Sequence, residues 1–158
     1  MAMAIKDFVQ QELEAGEVMA LVSLDVQGAF DAAWWLEILN ELQKYKCLKN
    51  LYELTKHYFS QRIASWSTNS FRMDKDISRG CPQGSCSGPR LWNLQYNSLL
   101  EQRYMKRTKV VAFADDLIIA MRGESARAVE NYVNIELNKI NVWAKNNKTR
   151  FNGKKNPN

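Results

Sequence analysis

The sequence predicts an α+β domain, with helices grouped against a largely antiparallel sheet. Three observations carry that expectation. Short, β-branched apolar runs stand at 17–26, 110–113 and 117–121 and read as buried strands. Apolar residues recur at helical spacing in the segments between them. The resulting order is strand, two helices, hairpin, helix, hairpin, helix, without internal repeats or an interdomain linker.

Each element has its own signal. "EVMALVSLDV" is the first strand. "FDAAWWLEILNELQKY" places Trp34, Ile38, Leu39 and Leu42 at helical spacing, predicting one helix over 30–45. "LKNLYELTKHYFSQ" predicts a second. "RIASWSTNSFRMDKDIS" alternates about Asn69-Ser70 and predicts a hairpin. "CPQGSCSG" is a loop punctuated by Pro82, Gly84 and Gly88. Pro89 then suits the first turn of a helix through "RLWNLQYNSLLEQRY". "VVAF" and "LIIAM" form a second hairpin. "SARAVENYVNIELNKINVWAKNN" is a long amphipathic helix with Ser125 at its N-cap.

Composition narrows the function classes. The 158 residues are 46% hydrophobic and 25% charged, which fits a domain with a real core. No apolar run is long enough to span a membrane, and the N-terminal residues lack the pattern of a secretory signal. Cys47, Cys81 and Cys86 are odd in number and lack zinc spacing, so an intracellular setting, nucleus or cytoplasm, is expected. The net charge of +5 is compatible with a polyanionic partner or with simple solvated faces. The excess concentrates at Arg103–Lys109 and in the tail from Lys145 to Lys155. His57 lies beside two aromatics and reads as structural or exposed. Trp34, Trp35, Trp92 and Trp143 read as core or interface residues.

The chemistry concentrates in "VVAFADDLIIAM", where Asp115 and Asp116 interrupt an apolar hairpin. Aspartate suits a turn, so a solvated hairpin tip is one reading. The apolar flanks favour another: two like charges at the end of a buried hairpin repel, and a hard divalent cation would relieve them. Asp25 ends the first strand in the same way. If the strands are neighbours, Asp25 and Asp115 can bridge two Mg²⁺ ions about 4 Å apart. Capping of the following helix is the alternative role for Asp25, and Asp31 is better placed for it.

At this point the residues resemble a family. "LDVQGAFDAAWW", "RGCPQGSCSGPRLWN" and "FADDLIIA" are similar, in order and spacing, to the successive palm motifs of reverse transcriptases, in particular those of non-LTR (LINE-type) retrotransposons of insects. The resemblance covers the chain from about Val18 onward. It implies a polymerase palm with an incomplete fingers region and no primer grip or thumb, across residues 1–158. It implies RNA-directed DNA synthesis with an RNA template, a DNA primer and dNTPs, and two Mg²⁺ ions for which Mn²⁺ can substitute. Asp25 matches the metal-binding aspartate of the first motif, with the Val26 carbonyl as a further ligand. Asp115 matches the second metal ligand and Asp116 the acid beside it. Phe30 matches the steric gate against a 2′-hydroxyl; a core aromatic is the plainer reading. Gln83 and Gly84 match the loop that packs near nucleotide and template, where an ordinary turn is the alternative. Lys155, with Lys154 second, matches the lysine of a fourth motif in "TRFNGKKNPN", although Asn156 departs from the usual Ser or Thr and a charged tail is the alternative. A degenerate remnant that at most binds nucleic acid is the competing functional reading. A nucleotidyl cyclase is disfavoured, since it needs neither the loop nor a gate.

Overall fold

A computed structural model describes residues 2–152. The chain is a mixed α and β fold with antiparallel sheets, and it forms two compact units. One comprises the residues up to Gln27 and from Asn97 onward; the other comprises Gly28–Tyr96.

The first unit holds α1 (Ala2–Glu14), β1 (Val18–Val26), β4 (Thr108–Phe113), β5 (Asp116–Gly123), α6 (Ala126–Asn146) and β6 (Phe151–Asn152). Its four strands run in the order β4-β5-β1-β6, and every neighbouring pair is antiparallel. The β1–β5 ladder pairs Val18 with Gly123 and continues without interruption to Asp25 with Asp116. Alternation of side chains sorts this ladder into two faces. Leu117, Ile119 and Met121 point one way and are fully buried. Gly123 shares that face, where an added Cβ would lie 3.0 Å from Val129 Cγ2 of α6. Phe151 of β6 meets Trp143 of α6, ring centroids 6.4 Å apart. The opposite face carries Leu21, Ile118 and Arg122. Leu21 and Ile118 line an apolar groove with Ile5, Val9 and Leu13 of α1, and Arg122 pairs with Glu12. Helices therefore cover both faces of β5, which is why its sequence reads as a nearly continuous apolar run.

The N-cap expected at Ser125 is present: its Oγ accepts from the Ala128 N–H at 3.2 Å. The basic stretch after residue 102 is tied to α6 by Glu136, which is fully buried. Its Oε1 accepts from the Met105 N–H at 2.7 Å. Lys139 Nζ lies 3.0 Å from Oε2 as an ion pair rather than an aligned hydrogen bond. Arg107 pairs with Glu124 at 2.9 Å.

The second unit holds α2 (Ala29–Ala32), α3 (Trp35–Lys44), α4 (Lys49–Phe59), the hairpin β2 (Ile63–Thr68) and β3 (Phe71–Asp76), and the start of α5 (Gly88–Leu100). Its core includes Ala33, Ile38, Trp92 and Gln95, and Trp35 stacks on Phe59 at 5.0 Å. The hairpin turns at Asn69-Ser70 as expected, and Pro89 sits in the first turn of α5.

Three expectations need correction. The single helix over 30–45 is broken, because Ala33 and Trp34 are extended. The Ala33 carbonyl accepts from the Gly80 N–H at 2.7 Å, Trp34 forms an isolated bridge with Arg79, and the Trp34 N–H donates to Gln95 Oε1 at 2.6 Å. A distant segment thus offers the backbone partners that a continuous helix would have supplied. Asp31 is not the helix cap. Gly28 holds that position at φ 58°, without a side-chain cap, and Asp31 lies inside the first turn. The helix through "RLWNLQYNSLLEQRY" stops at Leu100, where Tyr104 Oη donates back to the Leu99 carbonyl at 2.8 Å.

Candidate active site

Asp25, Asp115 and Asp116 lie at one end of the four-stranded sheet. Asp25 is the next-to-last residue of β1, and Asp116 opens β5. The β4–β5 hairpin turns tightly through Ala114 and Asp115, with Phe113 paired to Asp116. Ala114 adopts φ 54°, a left-handed conformation uncommon for a residue with a Cβ.

Register determines which acids face each other. Asp25 and Asp116 are direct cross-strand partners, so their side chains share a face. That face also carries Arg122 and is opposite the one packed on α6. The Val26 N–H donates to the Asp115 carbonyl at 3.0 Å. In an antiparallel ladder both polar groups of a residue point to the same neighbour, so the Val26 carbonyl is directed toward the turn that holds Asp115. Asp25 is partly buried, whereas Asp115 and Asp116 are exposed. Asp25 Oδ2 accepts from Asn152 Nδ2 at 3.0 Å, and Asn152 is its partner in the β1–β6 register. Sequence reasoning did not find Asn152, because a two-residue strand has no periodicity to read.

The donor set suits a hard divalent cation, since it offers carboxylate oxygens and a backbone carbonyl. Among the described residues nothing pairs with the carboxylates of Asp115 or Asp116, and opposed like charges across a ladder are unfavourable. A cation would offset both. Among the described residues, however, no three acidic, His or Cys side chains are already gathered into a metal-holding group.

The remaining predicted residues fall elsewhere. Phe30 lies in α2 and is half-buried. Its carbonyl accepts from the Cys81 N–H at 2.7 Å, so the start of the "CPQG" loop is joined to the backbone of Phe30. Gln83 and Gly84 are exposed in a turn. Gly84 holds φ 79° with open space around its Cα, which calls for glycine by conformation rather than by crowding. Ser85 turns inward: its Oγ donates to the Pro82 carbonyl and accepts from the Gly88 N–H, both at 2.9 Å. Cys81 is buried, and burial pushes its thiol up to about 11 against a nearby Arg62 that lowers it, so the thiol is inert at neutral pH. His57 is exposed. Lys155 lies outside the described residues. Among those residues no helix is long and apolar enough to cross a membrane.

Comparisons with other proteins point in one direction. Residues 3–156 match the profile of the family described as reverse transcriptase (RNA-dependent DNA polymerase). The chain is 36% identical over 139 residues to the Retrovirus-related Pol polyprotein from type-1 retrotransposable element R1 of Bradysia coprophila, covering 87% of this chain and 14% of that protein. It is 39% identical over 66 residues to the R1 polyprotein of Nasonia vitripennis, 42% of this chain and 20% of that one. Over 157 residues it is 24% identical to the RNA-directed DNA polymerase from mobile element jockey of Drosophila melanogaster, 96% of this chain and 17% of that one. The chain thus spans a fifth or less of the length of these relatives. Motif order, an acid-tipped hairpin laddered to an acid-ended strand, and the matching profile agree, and the chain belongs to the reverse transcriptase family, beside the proteins of insect non-LTR retrotransposons.

Proposed function

We propose that this chain is the palm of an RNA-directed DNA polymerase, acting on an RNA template, a DNA primer and dNTPs. The observation that supports it best is the β1–β5 register, which sets Asp25 opposite Asp116 with Asp115 in the adjoining turn. Asp25, Asp115 and the Val26 carbonyl would hold two Mg²⁺ ions, for which Mn²⁺ can substitute, and Asp116 would adjust the local charge beside them. When bound, such ions make the primer hydroxyl a better nucleophile and neutralise the triphosphate. The chain's own contribution is positional. Asn152 orients the Asp25 carboxylate through its amide, and the tight turn at Ala114 holds Asp115 at the strand end. Phe30 is proposed, on its motif alone, to exclude a 2′-hydroxyl by bulk. Gln83, with Gly84 beside it, is proposed to contact nucleotide or template, and Lys155 to meet the pyrophosphate. A polymerase palm is the architecture we propose within residues 1–158. The competing reading is a remnant that at most binds nucleic acid, without chemistry.

Mn²⁺ titration followed by paramagnetic broadening separates the two. Loss of amide signals confined to 24–26 and 114–117, and abolished by Asp25→Asn, is expected. Uniform broadening at all concentrations would remove the metal assignment. Polymerisation is tested by replacing the matching segment of the Bradysia R1 polyprotein with this chain. Primer extension on RNA should survive the exchange and disappear with Asp115→Asn.

A further inference from the structure

Two buried polar side chains hold the break between α2 and α3. Gln95 of α5 is fully buried, and its Oε1 accepts from the Trp34 N–H at 2.6 Å. Trp35 is buried and stacks on Phe59 with the ring planes 6° apart. Its indole Nε1–H donates to the Gly80 carbonyl at 2.7 Å. Gly80 is thus held at both polar groups, since its own N–H donates to the Ala33 carbonyl. On either side of it, Arg79 bridges to Trp34 and the Cys81 N–H donates to the Phe30 carbonyl. The approach is close: a Cβ on Gly80 would lie 3.5 Å from the Asp31 carbonyl oxygen and 3.6 Å from that of Phe30.

These contacts anchor both ends of loop 82–87. Gly80 and Cys81 lead into it, and α5 begins at Gly88. Gln95 lies about two turns further on, so the helix leaving the loop returns to the break that the entering segment grips. A continuous helix through 30–45 would satisfy the same backbone groups internally, but it would withdraw the Phe30 and Ala33 carbonyls from Cys81 and Gly80. Packing alone accounts for the stack of Trp35 on Phe59. An apolar side chain at 95 would fill the same volume without the cost of burying an amide. The polar groups of Trp35 and Gln95 therefore add direction: they keep the helix broken where Phe30 meets the loop.

We propose that Trp35 and Gln95 are positioning residues for sugar selection, holding the break at 33–35 and through it the backbone of Phe30 against the loop that carries Gln83 and Gly84. The inference rests on the reading of Phe30 as the gate, and Phe30→Val is the reference that separates the two. Primer extension by the Bradysia R1 polyprotein carrying this chain gives kcat/KM for a ribonucleotide and for its deoxy counterpart. Trp35→Phe keeps a ring against Phe59 and removes the N–H; Gln95→Met keeps the volume and removes the acceptor. Each should raise the ribonucleotide-to-deoxynucleotide ratio about 2- to 10-fold, the equivalent of one lost hydrogen bond. In the isolated chain, Trp35→Phe should quicken hydrogen exchange at the Gly80 and Cys81 amides while α6 keeps the parent rate. If Phe30→Val raises the ratio and both other variants leave it at the parent value, the gate stands and the inference is overturned. If Phe30→Val leaves the ratio unchanged, the gate reading fails and takes the inference with it. Equal loss with both nucleotides beside a lowered melt assigns Trp35 and Gln95 to the core alone and also overturns it, as does unchanged exchange at Gly80 and Cys81.

Discussion

Ala114 shows how a single residue can record the demands of a site. Its φ of 54° costs a side-chain-bearing residue about 1–2 kcal/mol. The turn keeps that conformation because two apolar strands, laddered from Thr108–Met121 to Phe113–Asp116, hold it. Ala114→Gly should therefore leave stability within about 1 kcal/mol of the parent, since relief of strain offsets the added freedom of glycine. Ala114→Val should cost about 1–3 kcal/mol, and urea denaturation of the pair measures both. Cys81 supports a pH prediction. Its folded-state thiol titrates near 11 because burial disfavours the thiolate, against an ordinary value of 9.0. The unfolded chain releases that proton first, so the contribution of the buried thiol is fully present below about pH 9. It declines as pH rises from there toward 11. Thermal melts of the parent and Cys81→Ala across that range should converge. At neutral pH iodoacetamide should label exposed Cys86 and spare Cys81 until the chain unfolds.

Among the elements, β1, both hairpins, α4 and α6 were legible in the sequence to within a few residues. Their patterns are long, and turn or cap residues mark their ends. The placement of Asp25, Asp115 and Asp116 at one end of the sheet was legible for the same reason, since an apolar run stops or starts at each. What escaped the pattern depends on tertiary partners. The break between α2 and α3 needs Gly80 and Gln95, which lie far along the chain. Asn152 needs the edge of β1 to define its strand at all. Helix α1 was not anticipated, and its ends carry no charge pattern favouring a helix. Loop 82–88 is similarly specified by contacts: a Cβ on Gly88 would approach the Pro82 carbonyl oxygen to 2.8 Å and Ser85 Oγ to 2.9 Å. Gly88→Ala should therefore open the loop and expose it to limited proteolysis near Gln83, while Ser87→Ala should not. At the start of α6, Ser125→Ala should cost about 1 kcal/mol through loss of the cap, measurable in the same urea series.

For the whole molecule, the charge excess of +5 stands beside cations that are tied into pairs. Arg107 is matched by Glu124 and Arg72 by Asp74, and Lys139 both pairs with Glu136 and donates to the Arg103 carbonyl at 3.1 Å. Glu136 is the buried member of this set. Its removal strands the Met105 N–H and the Lys139 charge together. Glu136→Ala should cost about 2–4 kcal/mol, with hydrogen exchange rising first at residues 103–107. The same stretch, once loosened, should bind polyanions more weakly in low salt, because its cations lose their common orientation. The uninterrupted ladder of β1 with β5 also bears on which sequence changes a lineage can absorb. Substitutions along it alter one contact each. Removing one codon between 18 and 24 instead shifts every later residue of the strand by one place and turns it over, carrying Asp25 away from Asp116 to the face beneath α6. Drift by length should therefore be tolerated at Lys46–Leu48, where the chain passes between two helices, and excluded from β1 and β5, where spacing itself is the inherited information.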